Sequence, residues 1–250
     1  MKFSILFLIF LTFKIFGALN CFTIKCNFFI DFLIAIGDVY RCRASEFPTT
    51  SGVTVTNITG DHLGSRNNIH VHGIYINNDR TLTFVPRNFS KFFPNIKAIT
   101  FYFTAIERLF GDEFDEFPEL LWLQFFGTRL TTISSKLFYK TPKIVFISFN
   151  VNIIEKVGHD LFKPLNITQL QTVSFNGNPC IHEAGSDNQT AIILVIEELQ
   201  KRCRFDDENI LTTVISSSST IKSTTTTKPQ RKCISWNRKN RNKTKIDLRK

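Results

Sequence analysis

The chain has 250 residues, 43% of them hydrophobic, six cysteines and a formal net charge of +10. This is enough apolar material for one or two packed domains, and too much for a wholly disordered chain. The charge is concentrated: residues 231–250 carry nine Lys or Arg against one Asp, which leaves the middle of the chain near neutral and excludes a strongly basic folded domain.

In chain order, residues 1–20 read as a secretory signal peptide. Met1-Lys2 is a short basic start, Ile5 to Phe13 is apolar, and Gly17 and Ala18 are small. Lys14, Asn20 and Lys25 interrupt the stretch before it reaches the roughly 20 residues of a membrane span, and no later segment supplies one. Residues 21–52 follow as a cysteine-closed cap. Phe28-Phe29-Ile30 and Phe32-Leu33-Ile34 lead to Gly37-Asp38, which predicts a hairpin turn there, with Cys26 paired to Cys42. Val53 to Ile58 and Ile69 to Ile76 alternate as strands and read as irregular early repeats.

From Ile96 the pattern becomes regular. Ile96, Ile99, Phe101, Thr104 and Ile106 form one row, and Leu120, Leu123, Phe125, Thr128 and Leu130 the next. The third is Ile144, Ile147, Phe149, Asn152 and Ile154, and the fourth is Leu170, Val173, Phe175, Asn178 and Cys180. A repeat of 24 to 26 residues predicts one strand per row and a return segment on the other side. Many of the 27 phenylalanines fall at inward positions, which predicts a stacked aromatic column in the core. The repeats are placed at 53–179, about five or six in number. A cap over 180–205 follows, in which Ala191 to Ile196, Leu199 and Cys203 have helical spacing and Cys180 pairs with Cys203. Cys21 and Cys233 remain, and six cysteines allow fifteen pairings, so their partners stay open.

Residues 206–230 read as a Ser/Thr-rich linker and 231–250 as a basic tail. Sequons at Asn57, Asn88, Asn166, Asn188 and Asn242, together with the signal peptide and the cysteines, point to a secreted, glycosylated extracellular protein.

The rows, the cysteine-closed hairpin and Asn178-Pro179-Cys180 resemble extracellular leucine-rich repeat proteins of the 24-residue type. Toll-like receptor ectodomains, Slit and the small matrix proteoglycans belong to that group. Phe93-Pro94-Asn95 and Gly60-Asp61-His62 are similar to elements of short secreted insect members. The resemblance covers roughly residues 26–203. It departs where Thr104 and Thr128 stand for the ladder Asn, and in the irregular rows before Ile96. It implies an α/β solenoid: a horseshoe segment with short parallel strands on its concave face, an N-terminal disulfide hairpin cap and a C-terminal helical cap.

Alternation within each strand turns the rows into a surface map. Positions three, five and seven face the concave side and bring together Tyr102, Trp122, Gln124, Phe126, Phe146, Ser148 and Asn150. Exposed aromatic clusters mark binding sites, so these seven residues are the candidate site for an extracellular protein partner, with self-association as a homodimer left open. The tail at 231–250, with Trp236 among its cations, is a candidate contact for an anionic glycan; nucleic acid is not an expected partner. The alternative function is that of a matrix-associated structural protein holding anionic polymers through the tail, and an immune-type recognition role is a third reading that the resemblance allows. Catalysis is not expected, since nucleophile, phosphate-loop and zinc-protease motifs are lacking. His70-x-His72 alone makes an incomplete metal site, so neither metal nor cofactor is expected.

Overall fold

The computed structural model describes residues 21–48, 54–186 and 188–206. The signal peptide, the linker from 207 onward, the basic tail and the sequon at Asn242 lie outside the described residues, as does the pairing of Cys21 and Cys233.

Two long strands open the chain, β1 (Cys21–Leu33) and β2 (Gly37–Ser45), followed by β3 (Thr54–Thr59). The turn lies at residues 34–36, not at Gly37-Asp38, and is closed by Ile36 N–H donating to Leu33 C=O at 2.9 Å. Gly37 follows with φ +80°, the left-handed residue that a three-residue hairpin loop needs at its end. Then come β4 (Gly73–Asn77), β5 (Ala98–Tyr102), β6 (Arg108–Leu109), β7 (Trp122–Phe126), β8 (Thr132–Ile133), β9 (Phe146–Ser148), β10 (Lys156–Gly158), β11 (Thr172–Ser174) and β12 (Ala184–Ser186). Helix α1 (Gln189–Arg202) and β13 (Arg204–Phe205) complete the described chain.

Nine strands form one sheet in the order β12-β11-β9-β7-β5-β4-β2-β1-β3, and β13-β10-β8-β6 form a smaller parallel sheet. In the large sheet the rows pair in parallel with equivalent positions facing: Gly73 with Ala98, Ala98 with Trp122, Trp122 with Phe146, and Phe146 with Thr172.

This corrects the expected fold class. The sheet is mixed rather than a uniform parallel array, because β1 and β2 pair antiparallel at one end and β11 and β12 at the other. The hairpin is part of the sheet, not a cap beside it. Tyr40, Cys42 and Ala44 of β2 are buried in the same core as Ile99 and Phe101, and β2 pairs directly with β4. Helix α1 is the one α-helix among the described residues, and the return segments are turns and two- or three-residue strands. The molecule is therefore a mixed two-sheet α/β fold, not a horseshoe segment.

The aromatic column does form. Phe101, Phe125, Phe149 and Phe175 are fully buried, with successive ring centroids 4.6, 5.6 and 5.2 Å apart. Each buried ring contributes about 2 kcal/mol by removal from water, and each stacked pair adds about 1 kcal/mol. Beside this column run the inward polar positions. Asn152 Nδ2 donates to Phe125 C=O at 3.1 Å, and Asn178 Nδ2 donates to Phe149 and Phe175 C=O at 2.8 and 2.7 Å. Thr128 joins this ladder by donating its hydroxyl to Asn152, whereas the buried Thr104 hydroxyl has no partner. Just past each strand the chain turns through a left-handed residue: Asn78, Phe103, Gly127, Val151 and Gly177, with φ between +50° and +73°. The disulfides Cys26–Cys42 and Cys180–Cys203 close as read from the sequence; the second ties α1 to the segment after β11.

Candidate functional site

The face of the large sheet turned away from the phenylalanine column carries three rows of side chains running across the strands. The first contains Arg41, Gly73, Ala98, Trp122 and Phe146; the second contains Arg43, Tyr75, Thr100, Gln124 and Ser148; the third contains Asn77, Tyr102, Phe126 and Asn150. The expected seven-residue patch does not form a single exposed surface. The hairpin tip divides it.

Because β1 and β2 extend past the start of β4, their tip lies against the first row. Leu33 and Val39 pack with Ala98 and Trp122, and Ala35, Ile36 and Phe146 pack around them. Trp122 stacks flat on Phe146 and is only 6% exposed. Its indole nitrogen and the buried Ser148 hydroxyl have no hydrogen-bond partner. Small residues make room for this cover. A Cβ on Gly73 would lie 2.7 Å from Arg41 Cγ and 3.1 Å from Val39 Cγ1, so any larger side chain there would push the tip away. Asn150 is committed elsewhere: its Oδ1 accepts from Ser174 Oγ at 2.7 Å and from Asn176 N–H at 2.8 Å.

Arg41 anchors the hairpin from inside. Arg41 is 1% exposed, and its guanidinium donates to Asp31 Oδ2 at 2.7 Å, Ile74 C=O at 3.1 Å and Thr100 Oγ1 at 2.6 Å. Burial lowers its pKa, and the Asp31 carboxylate opposes that shift. Nε has no partner. A buried guanidinium with one carboxylate is costly to form and costlier to break, because removing Asp31 would leave the buried Arg41 charge uncompensated.

The open half lies over rows two and three. Tyr102 contacts Phe126 at 5.3 Å between centroids and Tyr75 at 5.8 Å, and Phe29 of β1 meets Tyr75 edge-on at 5.9 Å. All four rings are half-buried. Partial burial raises the Tyr102 phenol pKa and Tyr75 adds to the shift, against Arg41 and a hydrogen bond with Gln124. Phe103 stands edge-on to Phe126 at 5.7 Å. The guanidinium of Arg43 lies 4.9 Å from the Phe29 ring and 5.3 Å from Tyr75, and that of Arg80 lies 5.3 Å from Phe103. Of the expected site residues, the structure leaves Tyr102, Gln124 and Phe126 half-exposed together, and Phe146 half-exposed but stacked on Trp122. Sequence reasoning missed Tyr75, Phe29, Phe103, Arg43 and Arg80. Tyr75 was within reach, since it occupies position five of the row that starts at Val71.

The sequons differ in setting. Asn57 is exposed on β3, at the edge of the sheet. Asn166 and Asn188 are exposed and use Oδ1 to cap a 3-10 turn and helix α1. Asn88 is built into the fold. It has φ +75°, its Nδ2 donates to Val55 C=O at 2.7 Å and its N–H donates to Glu116 Oε1 at 2.9 Å. The sequon hydroxyl of Ser90 donates to Glu116 Oε2 at 2.6 Å. His70 Nδ1 is paired with Asn67, and the described residues contain no cluster of three His, Cys, Asp or Glu able to hold a metal. No helix of the described residues is long and apolar enough to cross a membrane. No protein-family model matches the chain, and no curated protein matches it.

Proposed function

We propose that this chain is a secreted, non-catalytic glycoprotein that binds an extracellular protein partner through the open aromatic half of its large sheet. The observation that carries this reading is the ring cluster Tyr75–Tyr102–Phe126, which spans the second and third rows. These rings are half-buried, mutually packed and left uncovered by the hairpin that shields Trp122. Rigid aromatic rings with one open face supply contact area at low entropic cost and are favoured as binding hot spots. Secretion is supported by the signal-like start, the sequons and two closed disulfides.

The test is affinity capture from native extracellular fluid with three full-length proteins, wild type, Tyr102→Ala/Phe126→Ala and Trp122→Phe, and a truncated form lacking 231–250. Loss of a captured protein in the double variant alone supports the reading. Capture that survives it, but disappears with the tail, would reverse the assignment in favour of polymer or partner binding by the basic end.

A further inference from the structure

The open aromatic half is bracketed by two arginines that stack on rings and have no carboxylate partner among the described residues. Arg43 sits in the angle between Phe29 and Tyr75, and Arg80 lies over Phe103. Both are exposed. Phe103 is itself held in place: its N–H donates to Phe126 C=O at 2.9 Å, and a Cβ on Gly127 would come within 2.6 Å of its ring. Two carboxylates near this face have partners other than Arg43 and Arg80. Asp31 pairs with Arg41, and Asp79 Oδ1 accepts from Thr81 and Leu82. A guanidinium stacked on a ring keeps its planar fork of donors free for a carboxylate. The face therefore presents two oriented anion-binding points with an apolar floor between them.

Their separation follows from the register. Arg43 lies on β2, level with Tyr75 and Thr100, while Phe103 follows β5, two strand steps across and three residues along. With about 4.8 Å between strands and about 3.3 Å per residue, the backbone positions of Arg43 and of Phe103, the ring under Arg80, are roughly 14 Å apart. An extended peptide covers that distance in about four residues.

We infer that this face takes an extended acidic peptide segment, one carboxylate on Arg43, a second about four residues on at Arg80, and an apolar side chain between them on Tyr75 and Tyr102. The inference rests on the open aromatic half being the partner-binding site, and it specifies the partner's chemistry. A sulfated glycan fits less well: it needs a dense stripe of cations, and here two free arginines flank a mainly aromatic floor.

Two labelled nine-residue peptides of identical composition test this by fluorescence anisotropy on the full chain. One has two glutamates four residues apart with a phenylalanine midway; in the other the glutamates are adjacent. The basic tail does not distinguish isomers of equal charge, whereas the face does. The spaced isomer is expected to bind roughly tenfold tighter than the adjacent one, a preference abolished in Arg43→Glu/Arg80→Glu. Equal binding of the isomers to wild type, or a preference that persists in the double variant, overturns the inference. So does a heparin-derived hexasaccharide that binds wild type and not the double variant, since it would make the ligand a glycan. If the isomers bind equally while native capture still depends on Tyr102 and Phe126, the peptide rule falls and the site stands. If capture does not depend on those rings, the site itself falls.

Discussion

Trp122 and Tyr102 occupy equivalent faces of neighbouring strands, yet one is sealed and the other open. The difference comes from outside their own rows. The tip of the β1–β2 hairpin reaches across Gly73 and Ala98 to cover Trp122 and Phe146, and stops short of Tyr102 and Phe126. A row of aromatic residues on a sheet face therefore does not announce a binding site until the elements that fold over it are known. The covered half contributes stability, and the open half keeps its rings partly exposed to solvent.

That division can be broken experimentally. The largest effect is expected from Trp122→Ala, which removes a buried, stacked indole and should cost about 3–5 kcal/mol in denaturant unfolding. Partner capture per folded molecule should be unchanged; if capture is lost while the fold survives, the assignment of roles is wrong. Leu33→Ala should cost about 2–4 kcal/mol and loosen the cover. With Trp236 replaced by phenylalanine, the emission of Trp122 should then shift to the red, whereas an unmoved spectrum would mean that Leu33 does not shield the indole.

Asn88→Ala sharpens the contrast at the edge of the sheet. Loss of the bond to Val55 should cost about 1–2 kcal/mol. Glycopeptide mass spectrometry should find Asn88 bare while Asn57, Asn166 and Asn188 carry sugar. A glycan on Asn88 in a fully folded protein would contradict its structural role. Val151→Gly should act in the opposite direction. Val151 is 49% exposed with φ +56°, so glycine should stabilise by about 0.5–1 kcal/mol and leave both halves of the face intact.

The smallest effect is at the rim, where partial burial, Lys97 and His70 lower the pKa of His72. A histidine with a depressed folded-state pKa stabilises the fold above its unfolded value of about 6.5, and that stability is lost as pH falls through the folded pKa. His72→Gln should flatten the stability profile below about pH 6.5, and identical acid limbs in the two proteins would exclude this contribution.

The sequence made the inward half of this molecule legible and the outward half only partly so. Buried positions recur because each row packs on the next, so Ile99, Leu123, Ile147 and Val173 could be aligned and the phenylalanine column foreseen. The fold class was misjudged because alternation reports which face a residue takes, not which way its neighbour strand runs. Tyr40, Cys42 and Ala44 alternate as the parallel strands do, although β2 pairs antiparallel with β1. The burial of Trp122 was hidden for another reason: it depends on Leu33 and Val39, whose contact with it follows no repeat period. Arg41 and Asn88 were illegible in the same way, since their partners lie in other segments.

The hairpin cover also bears on the order in which the molecule assembles. Neighbouring parallel strands join segments about 24 residues apart, so each successive pairing closes a loop of similar, modest entropic cost. The seal of Leu33 on Trp122 spans roughly ninety positions and needs several intervening strands in place before it can form. It should be among the last contacts made on folding and the first released on unfolding. A folding probe at Trp122 would therefore report the closing of the cover, not the formation of the sheet beneath it.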